Sequence, residues 1–553
     1  MKRLTLLVAG VLAFATSVSA QQVIGKGQIS GSFESSSIYY TPDKTATRPD
    51  DKFASNNYVK VDYTNGRFSA GIQLNAFLPA LVGYEHLADG YKFYLASKYV
   101  QWRDKNYEIL VGDIFDQFGN GLIFRSYEER QLGINNSLEG VRAAYSFGRY
   151  VTLKGMYGRS RYNTDYSKTW VRGADLSVSI ADIANISDKV TLNIEGSYVN
   201  RYQKLSNAPK YFTEKDWEGL MPIVEKGVTS PNLNMYSGRM NFGWNGLTFN
   251  GEYVGKGKDL LDVKDAHVQK GWAALGEVGY NYKTFSVMGT FRALKNMTTP
   301  INIFAGVDDY GVADDSYYAA SNAINYLPAL TRQYTYMLAN LYPYVVERGE
   351  MGGQIDLCYS YRSKSNRYRY WNFHANFSTF YSLDKMKSEG NKRKLYWRDI
   401  NFDVERQWDK KWKTLFLYSY QSKCSAENRM REAHIFVGDV THKFNRKMSL
   451  RFELQYLLSV GRGEWEKKYY EGDWVAGLVE FSLAPSWSFY VQDMYNIGLT
   501  KTHYYNGGFS YTHNRTRVQL SYGRNREGLV CSGGVCRETK SYTGVNLVLT
   551  SSF

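Results

Sequence analysis

Three features of the sequence predict an all-β chain closed into a large antiparallel transmembrane β-barrel of about 24 strands. Alternating apolar and polar segments recur along the whole chain. Short polar turns alternate with much longer polar connections. The final stretch, SYTGVNLVLTSSF, sets Val545, Leu547, Leu549 and Phe553 on one parity, against the mostly small or polar Gly544, Asn546, Val548, Thr550 and Ser552. Successive strand residues point to opposite faces, so this last strand is apolar on one side and must be paired.

The chain opens MKRLTLLVAGVLAFATSVSA. Lys2 and Arg3 precede an apolar run, and Val18-Ser19-Ala20 suits signal-peptidase cleavage. Residues 1–20 therefore read as a secretory signal rather than a membrane span. Gln21 and Gln22 follow, where a lipoprotein would need cysteine. Residues 21–553 are expected to form a single barrel domain. No later run of 18 apolar residues could supply a spanning helix, and the mean hydropathy is −0.45. With 48 Tyr and 49 Gly but only 10 Pro, the composition suits many strands and turns. The net charge of +15 is spread along the chain. In an exported protein it suits surfaces facing lipopolysaccharide or a lumen better than nucleic acid.

Eleven short turns can be read in order. They lie at Asn65-Gly66, 104–106, 147–149, 187–189, Asn245-Gly246, 282–283, 363–366, 409–411, 445–447, 484–486 and 513–517. Asn-Gly between alternating runs is a strong hairpin signal. The opposite strand ends are joined by longer segments, for example 35–56, 160–170, 201–234 and 298–349. Short periplasmic turns and long extracellular loops are the pattern of outer-membrane barrels. Eleven turns join 22 strands, and one more at each end makes 24. The last strand is expected to pair with the first, at 25–33, because lipid offers no partners to an open edge. Phe553 resembles the C-terminal signal read by the outer-membrane assembly machinery. The first strand starts almost at once after the cleavage site. That leaves no N-terminal plug domain, which argues against a TonB-dependent transporter and against assembly factors with periplasmic domains.

Residues 316–345 break the alternation. They hold few β-branched residues and read as helical on either side of Pro328. They sit within the longest connection, 298–349. Two placements are open: a folded external loop, or a loop that dips into the lumen and narrows it.

Polar chemistry is concentrated in FRSYEERQLGINNSLEGVR. Arg125, Glu128, Glu129, Arg130, Asn135, Asn136 and Arg142 cannot face lipid cheaply; a midplane Arg on that face costs roughly 2–4 kcal/mol. Arg125, Glu128, Glu129, Arg130 and Arg142 are expected to form a lumenal charge cluster. It would either brace the wall or set selectivity, as charged rings do in pores. Seven His residues show no recognisable catalytic spacing, and no phosphate loop or metal-ligand cluster stands out. The expectation is a non-enzymatic protein without cofactor or bound metal. Cys531 and Cys536 frame the turn CSGGVC and are expected to form a disulfide in an oxidising compartment, leaving Cys358 and Cys424 as isolated thiols.

The stretch GDIFDQFGNGLIFRSYEERQLGINNSLEGVRAAYSFGRYVTLKGMYGRSRY resembles a family of outer-membrane proteins from Bacteroidota-type bacteria. The segments LPALTRQYTYMLANLYPYVV and HYYNGGFSYTHNRTRVQLSYGRNREGLVCSGGVCRETKSYTGVNLVLTSSF resemble it too. The resemblance implies a large barrel in the outer membrane and supplies no activity, since that family is of unknown function. Two functional readings follow. The first is a porin-like channel for solutes, favouring anions if basic residues rim the lumen. The second is a membrane platform for secretion or surface-complex partners, suggested by long loops rich in Tyr and Trp. Partners expected in either case are outer-membrane lipid, lipopolysaccharide and, during biogenesis, the assembly machinery.

Peptide mapping of the purified protein is expected to find Cys531 linked to Cys536 and Cys358 and Cys424 alkylatable. A Cys358–Cys424 link would break the deduced topology, which puts the two at opposite ends of the wall.

Overall fold

The computed structural model describes residues 22–24, 27–44, 46, 51–88, 90–204, 230–262, 267–302, 323–366, 368–424, 430–460, 472–532 and 535–553. The expected signal segment 1–20 lies outside them. Twenty-four strands form one closed antiparallel wall. In chain order they are β1 (Gly27–Tyr40), β2 (Phe53–Asn65), β3 (Phe68–Phe77), β4 (Lys92–Arg103), β5 (Tyr107–Ile114) and β6 (Leu138–Phe147). Next come β7 (Val151–Tyr162), β8 (Asp165–Ser179), β9 (Val190–Tyr202), β10 (Asn232–Trp244), β11 (Leu247–Asp262) and β12 (His267–Tyr282). Then follow β13 (Phe285–Lys295), β14 (Gly349–Arg362), β15 (Tyr370–Ser382), β16 (Leu395–Gln407), β17 (Trp412–Cys424) and β18 (Met430–Lys443). The set ends with β19 (Met448–Val460), β20 (Trp474–Leu483), β21 (Trp487–Asn496), β22 (Asn506–His513), β23 (Thr516–Asn525) and β24 (Tyr542–Ser552).

All eleven short turns read from the sequence fall between β2 and β3, β4 and β5, and every second pair thereafter, at one end of the wall. Asn245 and Gly246 both take positive φ (46° and 89°), as a tight two-residue hairpin turn requires. The β8–β9 turn carries the one-turn helix α1 (Ile180–Ile183).

β24 closes on β1, with Gly544 opposite Tyr40 and Ser552 opposite Ser32. The predicted partner for β24 was the stretch 25–33, and the structure moves most of the pairing past it. β1 continues to Tyr40 and β2 begins at Phe53, so the predicted connection 35–56 shrinks to 41–52. Its serines looked loop-like, yet they bond across the ladder. Ser35 Oγ donates to Asn57 Oδ1 (2.7 Å), and the Ser37 and Ser55 hydroxyls lie 2.8 Å apart. The predicted long loop 160–170 is also strand, turning at residues 163–164 with Asn163 at φ 54°. The described part of the predicted helical segment, 323–345, holds no helix; residues 316–322 lie outside the described residues. Pro328 and Pro343 interrupt it, and wall side chains satisfy its backbone.

The outer face is apolar by strand parity. Ile72, Leu74, Val111, Tyr253, Val491 and Tyr522 all project outward with 44–67% of their surface exposed. The inner face is largely polar, and among its apolar groups two arcs are the most extended. On β7–β13, the inward Met156, Val171, Val199, Met235, Val254, Ala273 and Leu294 form an apolar arc. On β17–β21, Leu417, Ile435, Leu457, Ala476 and Met494 form a second. A closed wall would not leave such arcs to water, and inserts from the long-loop end cover both. Phe118, Leu122, Ile123 and Phe124, from the β5–β6 connection, pack on the first arc. Tyr336, Leu338, Ala339 and Leu341, from the β13–β14 connection, pack on the second. There Gln421 Nε2 donates to Ala339 O (2.8 Å), Lys423 Nζ to Pro343 O (2.7 Å), and Leu338 N to Gln455 Oε1 (2.9 Å). Of the two placements open for the long connection, the described part thus takes the lumenal one.

Two more inserts join them. Tyr84, between β3 and β4, donates its hydroxyl to Gln131 O (2.9 Å). The hairpin between β23 and β24 carries the joined Cys531 and Cys536. It packs Val535 on Leu132 and Ile134 and reaches Leu341 O through Arg526 (3.3 Å).

The ladder is thinnest beside the first insert. β5 pairs with β4 only between Tyr99 and Arg103, because β5 and β6 end where the chain turns inward. Residues 92–98 of β4 are met by side chains instead. Lys98 N donates to Asp113 Oδ2 (3.0 Å), Asn135 Nδ2 to Ala96 O (3.3 Å) and Arg161 Nη2 to Leu95 O (3.1 Å). Gly112, at φ 123°, marks the departure, and a Cβ there would meet Lys98 O at 2.2 Å.

At the closure, the Phe553 ring lies over Gly31, where an added Cβ would come within 2.4 Å of the ring and 2.7 Å of Lys60 O. Gly31→Val is expected to destabilise the barrel by roughly 1–3 kcal/mol, read as a lower denaturant midpoint and less heat-modifiable folded species on a gel. Gly155→Ala, with open space around it, serves as the control and is expected to leave both unchanged.

Candidate functional site

The lumenal cluster is positioned by the apolar anchoring of its insert. With Phe118, Leu122, Ile123 and Phe124 turned to the β7–β13 arc, the residues that follow face β2–β4. Arg125 N donates to Ile324 O (2.8 Å), so the two long inserts meet at this point. Asn136 Nδ2 donates to both Arg125 O (3.0 Å) and Ala323 O (2.9 Å), and Asn325 Nδ2 donates to Leu122 O (2.8 Å).

The Arg125 guanidinium lies between two rings, 4.4 Å from the Tyr127 centroid and 4.0 Å from the Tyr326 centroid. Each such contact contributes about 0.5–2 kcal/mol depending on desolvation. Burial pushes both phenols above their ordinary pKa, so the rings stay neutral beside the cation. Among the described residues, no carboxylate forms an ion pair with Arg125.

Its neighbours are paired. Glu128 accepts from Gln73 Nε2 (2.6 Å) and lies 3.5 Å from Arg130 Nε. Arg130 also binds Glu34 (2.8 Å) and stacks over Tyr58 at 4.6 Å. Arg142, on the wall, holds Glu108 and sits 2.6 Å from Asp116, which Lys154 also reaches at 3.1 Å. Between insert and wall is a cavity of about 480 Å³, lined among others by Lys60, Tyr99, Asp116, Arg125, Glu128 and Arg130. Of the three lining cations, Lys60 pairs with Asp62 (3.3 Å) and Arg130 with Glu34 and Glu128, which leaves Arg125, among the described residues, as the lining cation without a carboxylate partner.

Of the five residues predicted for the cluster, Arg125, Glu128 and Arg130 share this cavity. Arg142 acts from beneath it, by holding Asp116. Glu129 faces away and accepts from Ser532 Oγ (3.3 Å) in the β23–β24 hairpin. Tyr326 was missed: it lies 200 residues further on, in NYLPAL, and no spacing rule joins it to Arg125. Lys60 and Tyr99 were missed as well, although strand parity places both inside.

A second lumenal constellation also escaped sequence reasoning. Cys358, His374 and Asp403 stand directly opposite one another on β14, β15 and β16. His374 Nδ1 is 2.7 Å from Asp403 Oδ2, and Nε2 is 2.9 Å from Asp356 Oδ2. Tyr334, from the second insert, donates to Asp403 (3.1 Å). Both ring nitrogens face carboxylates, so neither is free to act as a base for the Cys358 thiol.

Buried ion pairs tie the inserts to the wall. Arg292 and Glu350 have fully buried side chains; Arg292 donates to Pro328 O, and Glu350 accepts from Tyr344. Arg201 and Lys256 share Asp259 and hold the carbonyls of Pro300 (2.9 Å) and Thr298 (2.6 Å).

Comparison with known proteins gives one family match. The family described as a family of unknown function (DUF6029) matches residues 1–553. No curated protein matches the sequence. Among solved structures, the P pilus usher (PapC) translocation pore aligns at 8% identity and TM-score 0.44, covering 95% of this chain and 99% of that one. The siderophore receptor PirA from Pseudomonas aeruginosa aligns at 10% and 0.42, covering 95% and 80%. The outer membrane protein opdK from the same species aligns at 7% and 0.36, covering 95% and 98%.

Removing one partner of a fully buried ion pair strands the other charge, at a cost of about 3–5 kcal/mol, whereas replacing both is far milder. Arg292→Met is therefore expected to lower the unfolding free energy by that amount. Arg292→Met combined with Glu350→Gln should recover most of it in denaturant titrations.

Proposed function

The chain belongs to a family of unknown function, DUF6029, and we propose that it is an integral protein of a bacterial outer membrane that passes small anionic solutes through a narrowed lumen, without catalysis. The observation that carries this reading is the cavity of about 480 Å³ held between the first insert and the wall, into which Arg125 brings a charge that no described carboxylate pairs. Barrels of 16–18 strands already enclose a water-filled channel, so a wall of 24 has room for a passage even after four inserts have entered. A cation held between two rings keeps its orientation and its charge, which makes it a fixed attractor for an anion. The outward apolar faces meet lipid, and the long-loop end faces lipopolysaccharide. Insertion would be the work of the outer-membrane assembly machinery.

The mutual contacts of the inserts favour a second reading. Gly121, Leu122, Arg125, Asn136, Ala323 and Tyr326 bond one insert to another across the lumen. A lumen closed in this way suits a platform for secretion or surface partners.

Single-channel recording in a planar bilayer separates the two. Small steps with an anion-favouring reversal potential are expected, and Arg125→Ala should lower the anion-to-cation permeability ratio several-fold. Asn136→Ala with Asn325→Ala, which loosens the junction of the inserts, should raise conductance. Silence from correctly folded protein, in the wild type and in this double variant, would overturn the passage and leave the platform.

A further inference from the structure

The Cys358–His374 constellation gathers a thiol, an imidazole and a carboxylate at one place in the wall. The register places Cys358 directly opposite His374, and Asp356 two residues earlier on the same face of β14. The Asp356 carboxylate, the Cys358 Sγ and a His374 ring nitrogen all lie within 4.8 Å of one another. Bond lengths of about 2.0–2.3 Å to nitrogen, oxygen and sulfur imply ligand-to-ligand edges of roughly 3.3–3.8 Å in a tetrahedral zinc site. Cys358 Sγ stands 3.5 Å from Asp356 Oδ1, within that range; His374 Nε2 stands 2.9 Å from the other oxygen, Oδ2, a hydrogen-bonding distance that must open by about 0.4 Å for an ion to enter.

A second shell is in place too. Asp403 stands on Nδ1 (2.7 Å), the position from which a carboxylate orients a metal-binding imidazole and leaves Nε2 to the ion. Asn376 Nδ2 donates to Asp356 Oδ2 (3.1 Å) and fixes that carboxylate. These groups sit on three adjacent strands of a closed wall, so the backbone ladder sets their spacing.

We propose that Asp356, Cys358 and His374 form a binding site for one divalent metal ion of the zinc class, opening on the lumen near the short-turn end of β14 and β15. Thiolate, imidazole and carboxylate together select zinc over magnesium or calcium, which take oxygen donors. A solvent molecule fills the fourth position. The metal braces the second insert as well, because His374 bonds to Asp403, and Asp403 accepts from Tyr334 of that insert.

The test uses the full-length folded chain in detergent, with Cys424→Ser so that Cys358 is the one free thiol. Co2+ is the probe. One equivalent is expected to bind with a thiolate-to-metal charge-transfer band, and Zn2+ should displace it. Zn2+ should also slow maleimide alkylation of Cys358 at least tenfold, a readout that needs no change in the site itself. Cys358→Ser should abolish the band. Asp403→Asn should keep it and weaken affinity about 10- to 100-fold. Absence of the band, together with an alkylation rate indifferent to Zn2+, would overturn the site and leave His374 as a bridge between two carboxylates.

Discussion

Everything in this molecule follows from one constraint on backbone hydrogen bonding. A sheet that faces lipid finds no water for its N–H and C=O groups, so it cannot keep an edge. The 24 strands therefore form a ring, and the ring fixes parity. Each strand must turn alternate residues to lipid and to the lumen, and the outward Ile72, Tyr253 and Val491 are the apolar half of that division. The inward half is free to carry charge. Hence Arg201, Arg292 and Lys256 can sit buried against Asp259 and Glu350, where no lipid-facing position would tolerate them.

The two apolar arcs inside the wall are the exception that organises the lumen. Inward Val171, Val199 and Val254, or Leu417, Ile435 and Leu457, would be a burden to an empty water-filled barrel. They become an advantage once Phe118–Phe124 and Tyr336–Leu341 cover them. Burial of these side chains, rather than any local helical or strand preference, holds two long irregular segments inside. Arg292 and Lys256 then each donate to an insert carbonyl as well, at Pro328 and Thr298. The lumenal site is a by-product of this packing: with one side of the insert committed to the arc, Arg125 and Tyr127 are turned toward β2–β4.

Strand order and turn placement were legible because both rest on local patterns. Asn65-Gly66 and Asn245-Gly246 announce their turns by backbone chemistry, and alternation announces the strands between. Misreadings came where polarity and structure part company. ESSSIYY looks like a loop, but Ser35 and Ser37 satisfy one another and their neighbours across β1 and β2. The segment around Pro328 has no alternation, which suggested helix; it is irregular because many of its partners lie on the wall, from Arg292 on β13 to Gln455 on β19. The candidate site was half legible. Arg125, Glu128 and Arg130 could be picked out as charges that lipid would refuse. Tyr326 and the row of Cys358, His374 and Asp403 could not, since they meet only through register and through contacts between distant inserts.

The wall between β4 and β7 differs in kind from the rest of the ring. Along most of the circumference, neighbouring strands are joined by peptide groups, whose spacing the chain cannot alter. Beside residues 92–98 the joint is made by Asp113, Asn135 and Arg161, whose side chains have rotamers to exchange. Among the described residues, the barrel is thus a hoop with a clasp of side chains beside residues 92–98. At the long-loop end, three side chains stand where peptide groups close the rest of the ring. That joint lies directly behind the cavity that holds Arg125, whose lining includes Ser97 and Tyr99 of β4.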